Sequence, residues 1–412
     1  MTYIFRALFI LLTIFLVEFY FIKKFNKSFY FLRTKVHSKV LKIIKLVFFF
    51  FLNGFPAYLL IRAIFSTFMD IYVFDVPENI LFDIFIQFPF WLIVIVILQT
   101  SIIFVFWDLI KWALHIINKK WRAFLLKYES RFYFAVILTF LVYVPARVLY
   151  DYVKIDTRTI EIKKTDLPDA LNGFTITLIS DVQADRYNNT WRLRKYINLV
   201  NKTNPDLVLV GGDVITFGPK YINLAAESIA KIKSKYGVYS CVGDHDNWAY
   251  HEDVDRSLKE VTETLEKNKI KMLSDSLIIF NIHDAKLAVA FITNTYVEVV
   301  DRKTLGSVLD KGKNADYKIL LAHQPRNYIL SQAIAKNYDL YLCGHTHGGQ
   351  LTFFFPFVNL SPTLVETKYV KGDYRFGNLL FVISKGLGMS LAPVRYNSTP
   401  EIIVIKLQKA AQ

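Results

Sequence analysis

The chain is 412 residues long, 53% apolar and 16% aromatic, with a formal net charge of +15. That charge is uneven: residues 1–150 carry 17 Lys or Arg against 7 Asp or Glu. A basic excess lying among long apolar runs reports membrane topology and contact with anionic lipid, and it argues against nucleic acid as the partner. No internal repeat, low-complexity run or proline-rich linker is present.

Four apolar stretches come first: Tyr3–Ile22, Leu46–Met69, Ile86–Trp107 and Phe132–Tyr150. Each approaches the ~20 helical residues that a bilayer core requires. They are rich in Phe and Ile and lack a polar face, which a buried helix at a soluble protein's surface would show. Tyr3–Ile22 has no small-residue cleavage site after it and runs into Lys23-Lys24-Phe25-Asn26-Lys27, so it reads as a span and not as a signal peptide. The second stretch contains Asn53, Gly54, Pro56 and Arg62, the composition of a segment that could re-enter instead of crossing.

The connecting segments predict orientation. Lys23–Lys45 has eight bases and no acid, Asp70–Asn79 three acids and no base, and Asp108–Arg131 six bases and two acids. Basic loops stay in the cytoplasm, so the first and third are inner and the fourth span exits on the far side. The protein is therefore expected to be a multi-pass cell-membrane protein with everything after residue 150 extracytoplasmic. Phe25, Phe29, Tyr30 and Phe31 interleave with the bases of Lys23–Lys45, which predicts an amphipathic stretch on the inner leaflet.

The sequence thus divides into a transmembrane region (1–150), a hinge-like linker (151–157) and a soluble domain (158–412), long enough for one well-buried core. Thr159–Lys163 predicts a first strand. Trp191–Lys202, Tyr221–Lys235 and Asp253–Asn268 show helical periodicity between strand-like runs, the alternation of an α/β layered domain. Leu277–Asn281, Leu287–Ile292, Leu379–Ser384 and Glu401–Leu407 follow more closely on one another, which predicts a second sheet with antiparallel pairing. Cys241 and Cys343 both end apolar runs and are expected to be free thiols, because two such positions rarely meet disulfide geometry.

Five of these runs stop at residues that ligate metals. Phe174–Ile179 ends at Ser180-Asp181-Val182-Gln183, Leu207–Val210 at Gly211-Gly212-Asp213, and Val238–Val242 at Gly243-Asp244-His245-Asp246-Asn247. Lys318–Leu321 ends at Ala322-His323-Gln324-Pro325, and Tyr338–Leu342 at Cys343-Gly344-His345-Thr346-His347-Gly348-Gly349-Gln350. Open α/β sheets place active sites at the carboxyl ends of their strands. One His-x-His occurs by chance in many loops, whereas five strand ends carrying Asp and His together point to a metal centre.

In this order and spacing the motifs resemble the calcineurin-like metallophosphoesterase superfamily, whose pattern is DxH, GDxxD, GNH[DE], an isolated His and GHxH. The GHTHGGQ form, with AHQP before it and Ser384-Lys385-Gly386-Leu387-Gly388, Ala392-Pro393-Val394-Arg395-Tyr396 and Pro400-Glu401-Ile402 after it, looks like the membrane-anchored bacterial branch. The resemblance covers about residues 158–405 and implies a four-layer α/β/β/α sandwich of two mixed sheets. It also implies two divalent ions, one held by Asp181, Asp213, His347 and Gln183, the other by Asp213, Asp244, His323 and His345, with Asp213 bridging.

Three positions depart from the pattern: Gln183 stands for a ligand His, Asp244 for Asn, and Thr216 for the last Asp of GDxxD. Oxygen in place of nitrogen favours harder ions, so manganese is expected, with magnesium, iron(II) and zinc as alternatives. Two such cations can turn water into a hydroxide nucleophile and neutralise the phosphoryl oxygens of a phosphomonoester or phosphodiester. In the family reading His245 is a catalytic acid beside the leaving oxygen and Asp246 fixes its tautomer. Asn247, Gln324, Arg186 and Arg326 are candidate phosphate or headgroup contacts.

The expected activity is a metal-dependent phosphoesterase acting on a lipid headgroup, an envelope component or a released phosphoester. A pyrophosphate hydrolase of a nucleotide-linked lipid precursor is the alternative enzyme. A non-catalytic metal-binding sensor is the alternative that Gln183 and Thr216 suggest. The sequence leaves the oligomeric state open.

Overall fold

The computed structural model describes residues 2–32, 37–66, 68, 76–251, 253–355, 358, 360–390 and 392–410, with side-chain surroundings from residue 15 onward. Two compact units form, Met1–Leu149 with Phe353–Leu360, and Tyr150–Thr352 with Ser361–Gln412.

The first unit consists of helices Thr2–Ser28, Ser38–Phe65, Ile80–Ile117 and Lys119–Val153, the last continuing into the second unit. Among the described residues, three of them, Ser38–Phe65, Ile80–Ile117 and Lys119–Val153, are long and apolar enough to cross a membrane. Thr2–Ser28 contains the first predicted span, but its side chains up to residue 14 lie outside the described residues, as do residues 70–75 of the acidic connector. Ser38–Phe65 remains one helix through Asn53, Gly54 and Pro56.

Two expectations change here. The basic connector predicted over Asp108–Arg131 is almost entirely helical, and Asp108, Lys111 and Glu129 within it are paired inside the unit. Lys24 Nζ lies 2.6 Å and Lys111 Nζ 2.8 Å from the Asp108 carboxylate, and Lys27, Lys111 and the Tyr133 hydroxyl converge on buried Glu129. Phe25 and Phe29, expected on a leaflet surface, are core residues packed with Phe21, Leu52, Phe104 and Tyr133. Phe353–Leu360 joins this unit through Gln99, whose side-chain amide donates to the Phe354 carbonyl at 3.1 Å and accepts from its N–H at 2.7 Å.

The second unit contains, in chain order, β1 (Asp156–Lys164), β2 (Thr175–Ile179), β3 (Leu207–Val210), β4 (Val238–Cys241), β5 (Ile270–Leu273) and β6 (Ser276–Ile282). β7 (Ala285–Ile292), β8 (Tyr317–Ala322), β9 (Leu340–Cys343), β10 (Gly372–Phe376), β11 (Leu379–Ile383) and β12 (Glu401–Lys409) follow. They form two sheets of order β1-β12-β2-β3-β4-β5 and β10-β11-β9-β8-β7-β6. β2 to β5 run parallel, as do β7, β8, β9 and β11, while β6 and β10 pair antiparallel at their edges. β12, expected in the second sheet, instead joins the first, where its nine residues pair along β1 and its middle lies antiparallel to β2. β5, β10 and helices Arg302–Asp310 and Asn327–Ala335 add to the predicted elements.

Facing residues of the sheets, among them Ile176, Leu178 and Leu209 against Val289, Phe291 and Leu321, make a continuous apolar layer. The outer face of the first sheet packs on helices Thr190–Lys202, Lys220–Ile229 and Val254–Lys267, and that of the second on Arg302–Asp310 and Asn327–Ala335. The result is the four-layer α/β/β/α arrangement. Cys241 and Cys343 are free and buried. The linker expected at 151–157 is ordered: helix Lys119–Val153 runs into it, β1 opens at Asp156, and the Asp151 carboxylate accepts from Thr399 Oγ1 at 2.5 Å.

Candidate metal centre

β2, β3, β4, β8 and β9 bring their C-terminal ends to one place. Strands buried on both faces leave no room for carboxylates or imidazoles, so the first of these side chains appear where the ladder stops. Five predicted residues there have left-handed backbones: Asp181 (φ 51°), Gln183 (50°), Asp213 (57°), His345 (69°) and His347 (49°). The turns approach each other so closely that a Cβ on Gly344 would lie 1.7 Å from Ser180 Oγ, and one on Gly243 2.2 Å from the Asp213 nitrogen. Only glycine fits at either position.

Asp213 Oδ1 accepts the His245 N–H at 2.8 Å, and its Oδ2 accepts from Gln183 Nε2 at 2.8 Å. Asp244 Oδ2 lies 2.8 Å from His345 Nδ1 and 3.3 Å from His323 Nε2, while Oδ1 accepts the Tyr296 N–H at 2.7 Å. The Asp181 carboxylate accepts the His345 N–H at 3.0 and 3.2 Å. His323 donates from Nδ1 to the Gly211 carbonyl at 2.7 Å, which turns Nε2 toward Asp213 and Asp244. That Nε2 is buried and completes a hydrogen bond with neither.

The charges feel one another strongly. Burial works to raise the Asp244 pKa, yet the facing His323 and His345 hold it well below the carboxylate range. Burial works against a charged His345, but Asp244 and Glu366 on its two ring nitrogens raise it to about 9. Burial dominates at Asp181, whose pKa is raised, and at Asp246, pushed up to about 6. His347 is held neutral by burial and by the Arg395 guanidinium.

Two sets of donor atoms lie within 4.8 Å of one another, Asp244, His323 and His345 in one, Asp181, Asp213 and His323 in the other. His323 is common to both, whereas the expected bridge was Asp213. His347 lies outside both sets, with Nε2 3.5 Å from Asp181 Oδ1 and Nδ1 3.3 Å from Arg395 Nη2. With Arg395 donating to Nδ1, a neutral His347 carries its proton on Nε2, and ligation there requires that proton to leave. Gln183 Oε1 is buried without a partner, an available carbonyl ligand. Buried carboxylates with an orphaned imidazole nitrogen and an orphaned carbonyl fit a divalent cation, since buried charge needs a counter-charge.

The predicted partner of His245 is corrected. Its Nδ1 donates to the Thr216 carbonyl at 2.7 Å. Asp246 instead accepts three backbone N–H groups, from Asp213 at 3.0 Å, Val214 at 2.9 Å and Gly243 at 2.8 Å. It braces the two ligand loops. Gln324 is likewise a brace: Nε2 donates to both Asp244 oxygens, at 2.8 and 2.9 Å, and Oε1 accepts from Asn294 and Arg326. Buried Asn247 donates to the Gly243 carbonyl at 3.0 Å. Arg326 pairs with Glu366 at 2.7 Å, and the Arg186 guanidinium lies over the Tyr187 ring.

Sequence reasoning missed Glu366, which accepts from His345 Nε2 at 3.0 Å and from the Tyr296 hydroxyl at 2.9 Å. It also gave Arg395 no role. Asn294 and Tyr296 follow β7 and were open to the same strand-end logic that found Asp181; Glu366 lies in a loop without pattern.

The residues that bear this geometry lie mostly within 174–349, the segment that matches the calcineurin-like phosphoesterase family. Phosphodiesterase YaeI of Escherichia coli is 30% identical over 243 residues, which are 57% of this chain and 82% of that protein. The chain belongs to the calcineurin-like phosphoesterase family. Metallophosphoesterase YkuE of Bacillus subtilis is 28% identical over 62% of this chain and 86% of its own length. A zebrafish (Danio rerio) transmembrane protein with a metallophosphoesterase domain is 29% identical over 61% of this chain, but the match spans 57% of that protein. The phosphoesterase is thus a metal-dependent hydrolase of phosphoric esters, and its apolar helices associate it with a membrane.

Proposed function

We propose that this is a membrane-anchored phosphoesterase with two divalent ions, manganese by preference, and an extracytoplasmic site. Asp181, Asp213, the Gln183 carbonyl and, once Nε2 gives up its proton, His347 would hold one ion; Asp213, Asp244, His323 and His345 would hold the other. The observation that carries this reading is His323 Nε2, buried between two carboxylates at 3.4 and 3.3 Å without a hydrogen bond. A cation there satisfies both carboxylates and the imidazole at once. The oxygen-rich donor set favours manganese or magnesium over softer ions.

Bound, the ions supply Lewis-acid stabilisation of the phosphoryl oxygens and an activated water. The chain supplies the rest. The Thr216 carbonyl holds the Nδ1 proton of His245, so Nε2 is the nitrogen available to the leaving oxygen, and it gives that oxygen a proton or a hydrogen bond when the ring is protonated on both nitrogens. Asp246 and Gln324 keep the ligand loops in register.

The membrane region extends to about residue 150 and the phosphoesterase domain begins near 158. Four spans, the first within Thr2–Ser28, return the chain to the outside, and the basic segments Lys23–Lys45 and Asp108–Arg131 favour that orientation. The substrate is a phosphomonoester or phosphodiester of the membrane or envelope; the likeness to a relative called a phosphodiesterase supports the latter.

Metal analysis of the purified protein, coupled to hydrolysis of a monoester and diester panel, tests the activity. Metal bound without turnover would select the sensor reading. Reporter fusions after Asp156, one active only outside and one only inside, test orientation. An active inside reporter would overturn it and favour a pyrophosphate hydrolase of cytoplasmic lipid precursors.

A further inference from the structure

Beside the carboxylates and imidazoles stands a run of aromatic rings. The His245 ring is flanked by Phe217, with centroids 4.9 Å apart, and by Trp248, at 5.0 Å. Trp248 lies parallel to Tyr296 within 7° at 6.3 Å, and Tyr296 meets His345 at 5.6 Å. The rings thus extend without a break from the proposed leaving-group acid to a proposed metal ligand.

A structural role accounts poorly for them. Phe217, Trp248 and Tyr296 belong to none of the buried apolar clusters that hold the sheets and helices together. Phe217 and Trp248 are half-buried and Tyr296 is 58% exposed. Large rings left at a polar site's rim keep apolar faces in water, a cost that a ligand's own flat face would remove. The Tyr296 hydroxyl points to Glu366, leaving its face toward Trp248, and Phe217 also meets the His251 ring at 5.6 Å, which extends the aromatic run.

We propose that Phe217, Trp248 and Tyr296 form a stacking platform for a flat unsaturated ring in the substrate's leaving group, as in an aryl or nucleobase-bearing phosphoester. The assignment rests on the hydrolase reading above, since it places the departing oxygen at His245. A ring attached to that oxygen has Phe217 and Trp248 as its first neighbours. An aliphatic leaving group gains no face-to-face contact there.

The test compares two diesters, methyl phenyl phosphate and methyl trifluoroethyl phosphate, on the full-length manganese-loaded protein. Any intrinsic difference between the leaving groups is the same in wild type and variants, so the change in the ratio of kcat/KM reads the platform alone. Trp248→Leu is expected to lower the phenyl-to-trifluoroethyl ratio by roughly tenfold, the scale of one aromatic stack. Tyr296→Phe keeps the ring and the ratio, and Trp191→Leu, on the exposed face of helix Thr190–Lys202, leaves both rates unchanged. Should Trp248→Leu fail to fold, calorimetry on the wild type replaces it: adenosine 5′-monophosphate is expected to bind about tenfold more tightly than ribose 5-phosphate. Turnover of both esters with equal losses in Trp248→Leu, or equal affinity for the two phosphates, overturns the platform. Absence of turnover of both esters, and of every member of the monoester and diester panel, with metal bound overturns the hydrolase reading beneath it.

Discussion

Removing the Asp246 carboxylate separates a brace from a catalytic orienter. Its two oxygens accept N–H groups from Asp213, Val214 and Gly243 at 2.8–3.0 Å, all in buried surroundings. In Asp246→Ala each orphaned donor costs ~1–3 kcal/mol, or roughly 3–9 kcal/mol for three. Relief of a buried carboxylate whose pKa burial has pushed up to about 6 returns on the order of 3 kcal/mol at neutral pH. A net loss on the order of 3 kcal/mol follows, which for a domain of this size lowers Tm by ~6–12 °C. Asp246→Asn, with its carbonyl in the Oδ2 position, keeps the Asp213 and Gly243 bonds and sets an amide against Val214 N–H, so it falls between. Calorimetric melting of the metal-free proteins reads both. Because the Thr216 carbonyl fixes His245, Asp246→Asn is expected to keep the wild-type shape of the kcat–pH profile. An Asp246→Ala protein that melts within about 2 °C of wild type, well inside the expected drop, would refute this reasoning. So would a changed kcat–pH profile in Asp246→Asn.

Four further outcomes are expected. Asp213→Ala should lose manganese-dependent turnover and part of its metal content, since the proposed site puts Asp213 on both ions while its donor atoms group with only one set in the structure; most of the wild-type rate at full metal content would reject the bridging role. Gln183→His should raise affinity for the first ion and admit zinc, and unchanged binding of every metal tested would place Gln183 outside the ligand shell. His245→Gln should keep its metals while kcat falls by roughly 10²–10⁴; a loss confined to KM would remove His245 from the chemistry. In the metal-free protein the His345 proton, held to about 9 by Asp244 and Glu366, competes with the cation. Loading at pH 7 should therefore release protons, and apparent affinity should climb as pH rises toward 9, both readable by calorimetry in buffers of different ionisation enthalpy.

The strand ends that carry the candidate ligands were legible because a strand buried on both faces holds no carboxylate or imidazole, and the first one after it stands out. Asp181, Asp213, Asp244, His323 and His345 were all found this way. The Asp246 role was not legible. The family reading paired it with His245, but the group that reaches the ring is a backbone carbonyl, which every residue has. Glu366 comes from a loop without periodicity and acquires meaning only against His345. β10, Gly372–Phe376, alternates half-buried and exposed residues at a sheet edge, so it lacks the apolar run that marked the central strands. The helix through Asp108–Ile117 was read as a loop because its charges suggested a solvated connector; Asp108 and Lys111 pair with each other at i,i+3, and their further partners Lys24 and Glu129 are supplied by other helices.

The five left-handed residues connect the site's chemistry to its stability. A non-glycine residue in that conformation costs ~1–2 kcal/mol, so the set stores roughly 5–10 kcal/mol, comparable with the whole stability of an ordinary domain. Such strain persists only where the surroundings over-determine it. Here the carboxylates that face the ion positions also do the holding. Asp181 accepts the His345 N–H, Asp213 accepts the His245 N–H, and Asp244 accepts the Tyr296 N–H. Ser398 donates its hydroxyl to the His347 carbonyl, and Arg395 donates to the same oxygen. Each ligand loop is thus tied to the next by a carboxylate or a backbone bond, and the same contacts that aim the side chains keep the strained turns from relaxing. A cation held between those carboxylates would lower their mutual repulsion, and the hydrogen bonds that already aim them are the physical meaning of a preorganised site.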